Sequence, residues 1–169
     1  MKEIKNNVSS EYLRVSKVIF ERYKTLGDKT FEQLNDEDFN YRTDEDSNSI
    51  AILIQHISGN LISRFTDFLT TDGEKPNRER DLEFEELNLS KNELLKRWDK
   101  AWALFFSTLN SITENDLTKI VTIRDEPHSV IEALDRAAAH YASHVGQIIL
   151  LAKQIKKSDW KTLSIPKKK

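Results

Sequence analysis

Apolar residues recur along this chain at the helical period in four separate stretches. In the first, Ile4, Val8, Tyr12, Val15, Ile19, Tyr23 and Leu26 follow one another at steps of three or four, with Lys5, Arg14, Lys17, Glu21 and Lys24 on the opposite face. This predicts a helix over about residues 2–26, closed by Gly27 as a C′ glycine. The second, about 48–70, carries Ile50, Leu53, Ile54, Ile57, Leu61, Phe65 and Phe68 behind N-cap serines at 47–49. The third, about 90–111, opens on the capping box Ser90-Lys91-Asn92-Glu93 and carries Leu94, Trp98, Ala101, Trp102, Phe105, Leu109 and Ile112, rings that read as core. The fourth, about 130–155, opens on a second capping box, Ser129 to Glu132.

The connections differ in character. Residues 28–48 are polar and acidic, broken by Phe31, Leu34, Phe39 and Tyr41, and read as one or two short turns. Residues 72–86 are dense in both signs of charge. Residues 113–126 resemble 28–48, again leading into a serine-capped helix that carries histidine. Ser49 lies seven residues before His56 and Ser129 lies 11 before His140, a difference of one helical turn that hints at a duplicated helix pair. Four amphipathic segments without strand alternation predict an all-α fold, a four-helix bundle forming one domain over 1–169, with a basic tail over 156–169.

Composition narrows this picture. Four glycines and three prolines in 169 residues fit long helices with few turns. The absence of cysteine excludes disulfides, thiolate metal sites and a thiol nucleophile, and fits a reducing compartment. Met1 to Asn6 is charged and lacks the apolar core of a signal peptide, and no apolar run is long enough to span a bilayer. A cytoplasmic protein without a membrane partner is expected. The net charge of −2 argues against a nucleic-acid partner. Lys153, Lys156, Lys157, Lys161 and Lys167 to Lys169 read as a helix C-terminus and a solvated tail.

The candidate chemistry lies in Ala137 to Ala152. These 16 positions hold no charged residue in a chain that is 32% charged, which predicts a helix buried on every side. His140 and His144, four apart, share one face and would point into the core as a nitrogen pair for a transition metal. A third ligand is needed. His128 follows Pro127 in an expected turn facing water, whereas His56 sits in an apolar segment beside the small residues Gly59 and Ser63. His56 is therefore the expected third ligand. Asn60 and Gln147, each near a histidine along its helix, are candidates to orient a ligand or substrate. Arg78 and Arg80 either belong to a solvated connection or meet an acidic ligand or partner subunit. A zincin would place Glu where Tyr141 stands, and no acid lies between Ala137 and Ala152, so a protease of that type is disfavoured. Tyr141 reads as a packing residue, and no catalytic base is assigned.

Four stretches carry a family likeness: S-N-S-I-A-I-L-I-Q-H-I-S-G-N at 47–60, S-R-F-T-D-F-L-T-T-D-G-E-K-P-N-R-E-R-D-L-E-F at 63–84, H-Y-A-S-H-V-G-Q-I at 140–148 and W-K-T-L-S-I-P at 160–166. Together they resemble the DinB/YfiT-like superfamily of metal-binding four-helix bundles, specifically a bacterial branch of it. The resemblance implies that His56, His140 and His144 ligate a divalent metal, Zn or Ni before Mn or Fe, in a cytoplasmic homodimer. It also implies chemistry on a small-molecule ligand: transfer to a low-molecular-weight thiol, or hydrolysis. A non-catalytic metal-binding or dimerising scaffold with a stress-related role is the alternative. Three neutral imidazoles leave the ion's charge uncompensated, so an open position favours hydroxide, carboxylate or thiolate.

Overall fold

The computed structural model describes residues 7–165. The expected start of the first helix at Lys2 and the last tail residues, Pro166 to Lys169, lie outside the described residues. Four helices dominate: α1 (Val8–Phe31), α2 (Ile50–Phe65), α3 (Lys91–Ser111) and α4 (Val130–Lys156). Single 3-10 turns lie at Glu37–Asn40, Asp81–Phe84, Glu114–Asp116 and Lys157–Asp159. Two short strands, β1 (Ile120–Ile123) and β2 (Glu126–Ser129), pair antiparallel between α3 and α4. No described helix is long and apolar enough to cross a membrane.

The helices pack pairwise, α2 on α3 and α4, α1 on α4 and α3, around one continuous core. Its centre is aromatic. Phe20 meets Phe105 edge-on at 4.6 Å and Trp98 meets Trp102 at 5.4 Å. Tyr141 closes the cluster from α4. Every apolar position expected of α3 is buried, as is every one expected of the second helix. The Ser90–Glu93 box is complete. At the head of α4 only half a box forms: Ser129 caps the Glu132 N–H, while the Glu132 carboxylate turns to His128 instead of to the Ser129 backbone.

Several expectations are corrected. On α1 the inward face is Leu13, Ser16, Phe20, Gly27 and Phe31, whereas Val8 and Val15 are exposed and Tyr12, Tyr23 and Leu26 flank the core. Two overlapping stripes satisfy the same helical period here. Gly27 decides between them, because a Cβ there would stand 2.6 Å from the Trp98 ring. The glycine therefore faces inward within the helix and does not end it. Likewise α2 stops at Phe65, short of Thr70: Thr66 is extended and Asp67 adopts φ 48°, although Phe68 still reaches the core.

The helix from Ala137 to Ala152 is not buried all round. Ala139, Ser143, Gly146, Gln147 and Leu150 form an exposed strip, Leu150 at 57%. Small uncharged residues are tolerated at a surface, so the lack of charge did not require burial.

The connection before α4 is a β-hairpin where a short turn was expected. Its turn residues Arg124 and Asp125 both take positive φ, 57° and 62°, the backbone of a type I′ turn. Such a turn usually needs Asn or Gly; here the Asp72 carboxylate accepts from the Arg124 and Asp125 N–H groups, both at 3.0 Å. The Gly73 N–H adds a bond to the Thr122 carbonyl at 2.8 Å, so the 72–74 segment and the hairpin hold each other.

Candidate metal centre

Helix geometry sets up the site. On α2, His56, Asn60 and Arg64 stand at intervals of four and share one face. On α4, Arg136, His140 and His144 do the same, with Ala133 and Ala137 beside them at helical spacing. Where the two helices meet, the three imidazoles converge. His140 Nε2 lies 3.0 Å from His56 Nε2 and 3.0 Å from His144 Nε2. One nitrogen from each ring falls within 4.8 Å of the others, a grouping able to hold a metal ion. His56 is buried, whereas His140, which lines a cavity together with His56, and His144 are half-buried and not enclosed in the core.

The neighbours fix the tautomers. The Glu83 carboxylate has no proton to give, so His56 Nδ1 donates to it at 2.9 Å and Nε2 keeps its lone pair. His144 Nδ1 donates to Gln147 Oε1 at 2.9 Å, which leaves a second lone pair on Nε2. Both lone pairs aim at the third nitrogen, that of His140. A proton there could satisfy one of them, not both. A cation accepts all three. Tetrahedral nitrogen ligands about 2.0–2.1 Å from Zn stand roughly 3.3 Å apart, near the two 3.0 Å spacings about His140. The donor set therefore fits a divalent metal.

Electrostatics agree with neutral ligands. Burial first, then the neighbouring charges of His144, His56, Arg78 and Arg64, push His140 down to about 3. Burial also lowers His144. Burial pushes the Glu83 carboxyl up, but its bonds to His56 and Arg78 outweigh this and hold it below the usual range.

The 72–86 connection, for which a solvated loop was one reading, packs onto α2. Gln55 donates to the carbonyls of Glu83 and Glu85. Arg78, with a side chain only 5% exposed, grips both Glu83 oxygens at 2.8 and 2.9 Å. Phe84 packs against the His56 ring at 4.7 Å, and Arg80 lies over Phe84 at 5.1 Å. A Cβ on Gly59 would collide with the Glu83 carboxyl group, so this glycine makes room for the carboxylate that orients His56.

Asn60 accepts from the Tyr141 hydroxyl at 2.9 Å, and Gln147 holds His144. Tyr141 is fully buried. His128 differs from its expected place: it is 6% exposed, within β2, close to Glu132 and Arg136 and apart from the triad. Sequence reasoning overlooked Glu83, one of several acids in its loop with nothing to single it out. It also overlooked Arg64 and Arg136, although both fall on the histidine faces by simple helical counting.

A family described as "Protein of unknown function (DUF1572)" matches residues 7–169. The chain belongs to this family. The match takes in all four helices, the hairpin and every residue of the site, so the histidine cluster lies within the matched region. No curated protein matches the chain.

Proposed function

We propose that this protein is a metal-dependent enzyme on a DinB/YfiT-type four-helix bundle, with His56, His140 and His144 holding one divalent ion, Zn or Ni first and Mn or Fe next. The observation that supports this most is the pair of lone pairs, fixed by Glu83 and Gln147, aimed at a third imidazole nitrogen. When bound, the ion supplies Lewis acidity and lowers the pKa of a coordinated thiol or water.

The chain's own groups favour thiol chemistry over hydrolysis. Both Glu83 oxygens are engaged by Arg78, and one also by His56, so this carboxylate orients a ligand and is not free to take a proton. Among the described residues, no carboxylate lines the cavity beside the histidines. Hydrolysis commonly calls for a protein base, whereas a thiol acidified by the ion needs none. Transfer involving a low-molecular-weight thiol is therefore the leading reading. Elemental analysis of untagged protein beside His56→Ala and His140→Ala tests the centre: one equivalent lost in both variants supports it, and no metal after reconstitution with Zn, Ni, Mn and Fe(II) sinks it. Thiol-transfer and hydrolase panels on the loaded protein then test the reaction.

A non-catalytic, dimerising scaffold is the second reading. The exposed uncharged strip on α4, Ala139, Ser143, Gly146 and Leu150, favours it as a surface for a second copy. It predicts that removing metal lowers thermal stability and changes no turnover.

A further inference from the structure

Beside the triad lies a cavity of about 310 Å³, at the small end for a ligand pocket. Its wall includes five arginines, Arg64, Arg78, Arg80, Arg124 and Arg136. Arg64, Arg78 and Arg124 all reach the one carboxylate of Glu74, and Glu83 adds a second acid through Arg78. Three guanidiniums thus share two carboxylates. Arg136 makes no ion pair among the described residues; its polar contact is His128 Nε2 at 3.4 Å. Arg64 Nη1 is buried without a hydrogen-bond partner among the described residues. A buried donor on a charged group is costly to leave unmade. The remaining wall includes the apolar Phe65, Phe68, Ile123, Ala133 and Ala137.

We propose that this cavity is an anion-binding pocket, in which Arg64 and Arg136 seat the carboxylate or phosphate group of a small substrate whose short apolar body runs toward the histidines. The inference rests on the metal-centre reading for where the substrate reacts, and on the arginines alone for what it carries. Guanidinium forks match the paired oxygens of either group. Arg136 stands one turn before His140 and Arg64 two turns after His56, about 6 and 12 Å along the helix axes. A substrate that fits both ends has its anionic group several bonds from its reacting atom.

Calorimetric titration of metal-free and metal-loaded protein with succinate and with inorganic phosphate at low ionic strength tests this. The expected result is saturable binding of at least one probe to metal-free wild type, weakened roughly tenfold or more by Arg136→Gln and by Arg64→Gln. The tighter probe tells carboxylate from phosphate. Arg136 is exposed, so its variant keeps the test decisive if Arg64→Gln fails to fold. No binding of either probe overturns the proposal, as does binding that needs metal and ignores both substitutions. A protein that binds the anion through the arginines but takes up no metal sinks the metal-centre reading alone.

Discussion

The Glu83 carboxylate accepts a hydrogen bond from His56 Nδ1–H at 2.9 Å, across 27 residues of sequence, while Arg78 holds both of its oxygens. The bond selects the tautomer in which His56 Nε2 faces the other two histidines. Carboxylate partners of ligating histidines typically contribute a factor of about 10–100 in metal affinity. Glu83→Gln keeps the shape and removes the charge, so it is expected to weaken metal binding by about that factor with little change in helical content. Competition against a chromophoric chelator measures it; unchanged affinity would remove Glu83 from the site.

Gly59 carries a linked prediction. Alanine in a helix normally gains about 1 kcal/mol over glycine. Here the added methyl would meet the Glu83 carboxyl group, and overpacking costs about 1–3 kcal/mol. Gly59→Ala should therefore destabilise the protein modestly and weaken metal binding as Glu83→Gln does. Combined with Glu83→Ala, which removes the obstacle, the same alanine should cost nothing or stabilise. A denaturant double-mutant cycle reads the coupling, and additive effects would refute it.

These two residues also mark what the sequence could convey. The helical period brought His56 toward His140 and His144, and the capped, aromatic stripe of α3 was fully legible. Glu83 was not, because its role depends on a loop folding back onto α2. On α1 the period allowed two stripes, and only the fit of Gly27 against Trp98 chose between them. The hairpin was hidden because its Arg124-Asp125 turn holds positive φ through Asp72, a partner 52 and 53 residues away, and not through local turn chemistry. The exposed strip on α4 was misread because small uncharged residues look alike whether buried or exposed.

His140 predicts a pH dependence. Its folded-state pKa is pushed from 6.5 down to about 3, chiefly by burial. Between those values the unfolded chain binds more protons than the folded one, so stability rises with pH across the window and falls on acidification. His144, lowered by burial, acts in the same sense. Glu74 and Glu83, both held below the usual carboxylate range, add their loss only below about pH 4.3. Melting of metal-free protein between pH 7 and 4.5 should therefore show a falling midpoint that His140→Ala flattens. An unchanged slope in that variant would locate the acid sensitivity elsewhere.

Asp72 carries the last prediction. Burial would push its carboxyl up, but the backbone N–H groups of Glu74, Asp125 and Arg124 hold it well below the usual carboxylate range. Two of those donors belong to residues with positive φ, a conformation that costs non-glycine residues about 1–2 kcal/mol each without support. Asp72→Ala should destabilise the protein by about 1–2 kcal/mol and loosen the hairpin tip that brings Arg124 to the cavity wall. Replacing Arg124-Asp125 by Asn-Gly removes the need for the clamp, since those residues adopt the turn unaided. In that background Asp72→Ala should cost much less stability, while the loss of Arg124 persists. Hydrogen exchange at the amides of residues 120–129 separates the two effects: protection should fall in Asp72→Ala and recover in the triple variant. Equal loss of protection in both would show that Asp72 acts through the 72–74 segment and not through the turn.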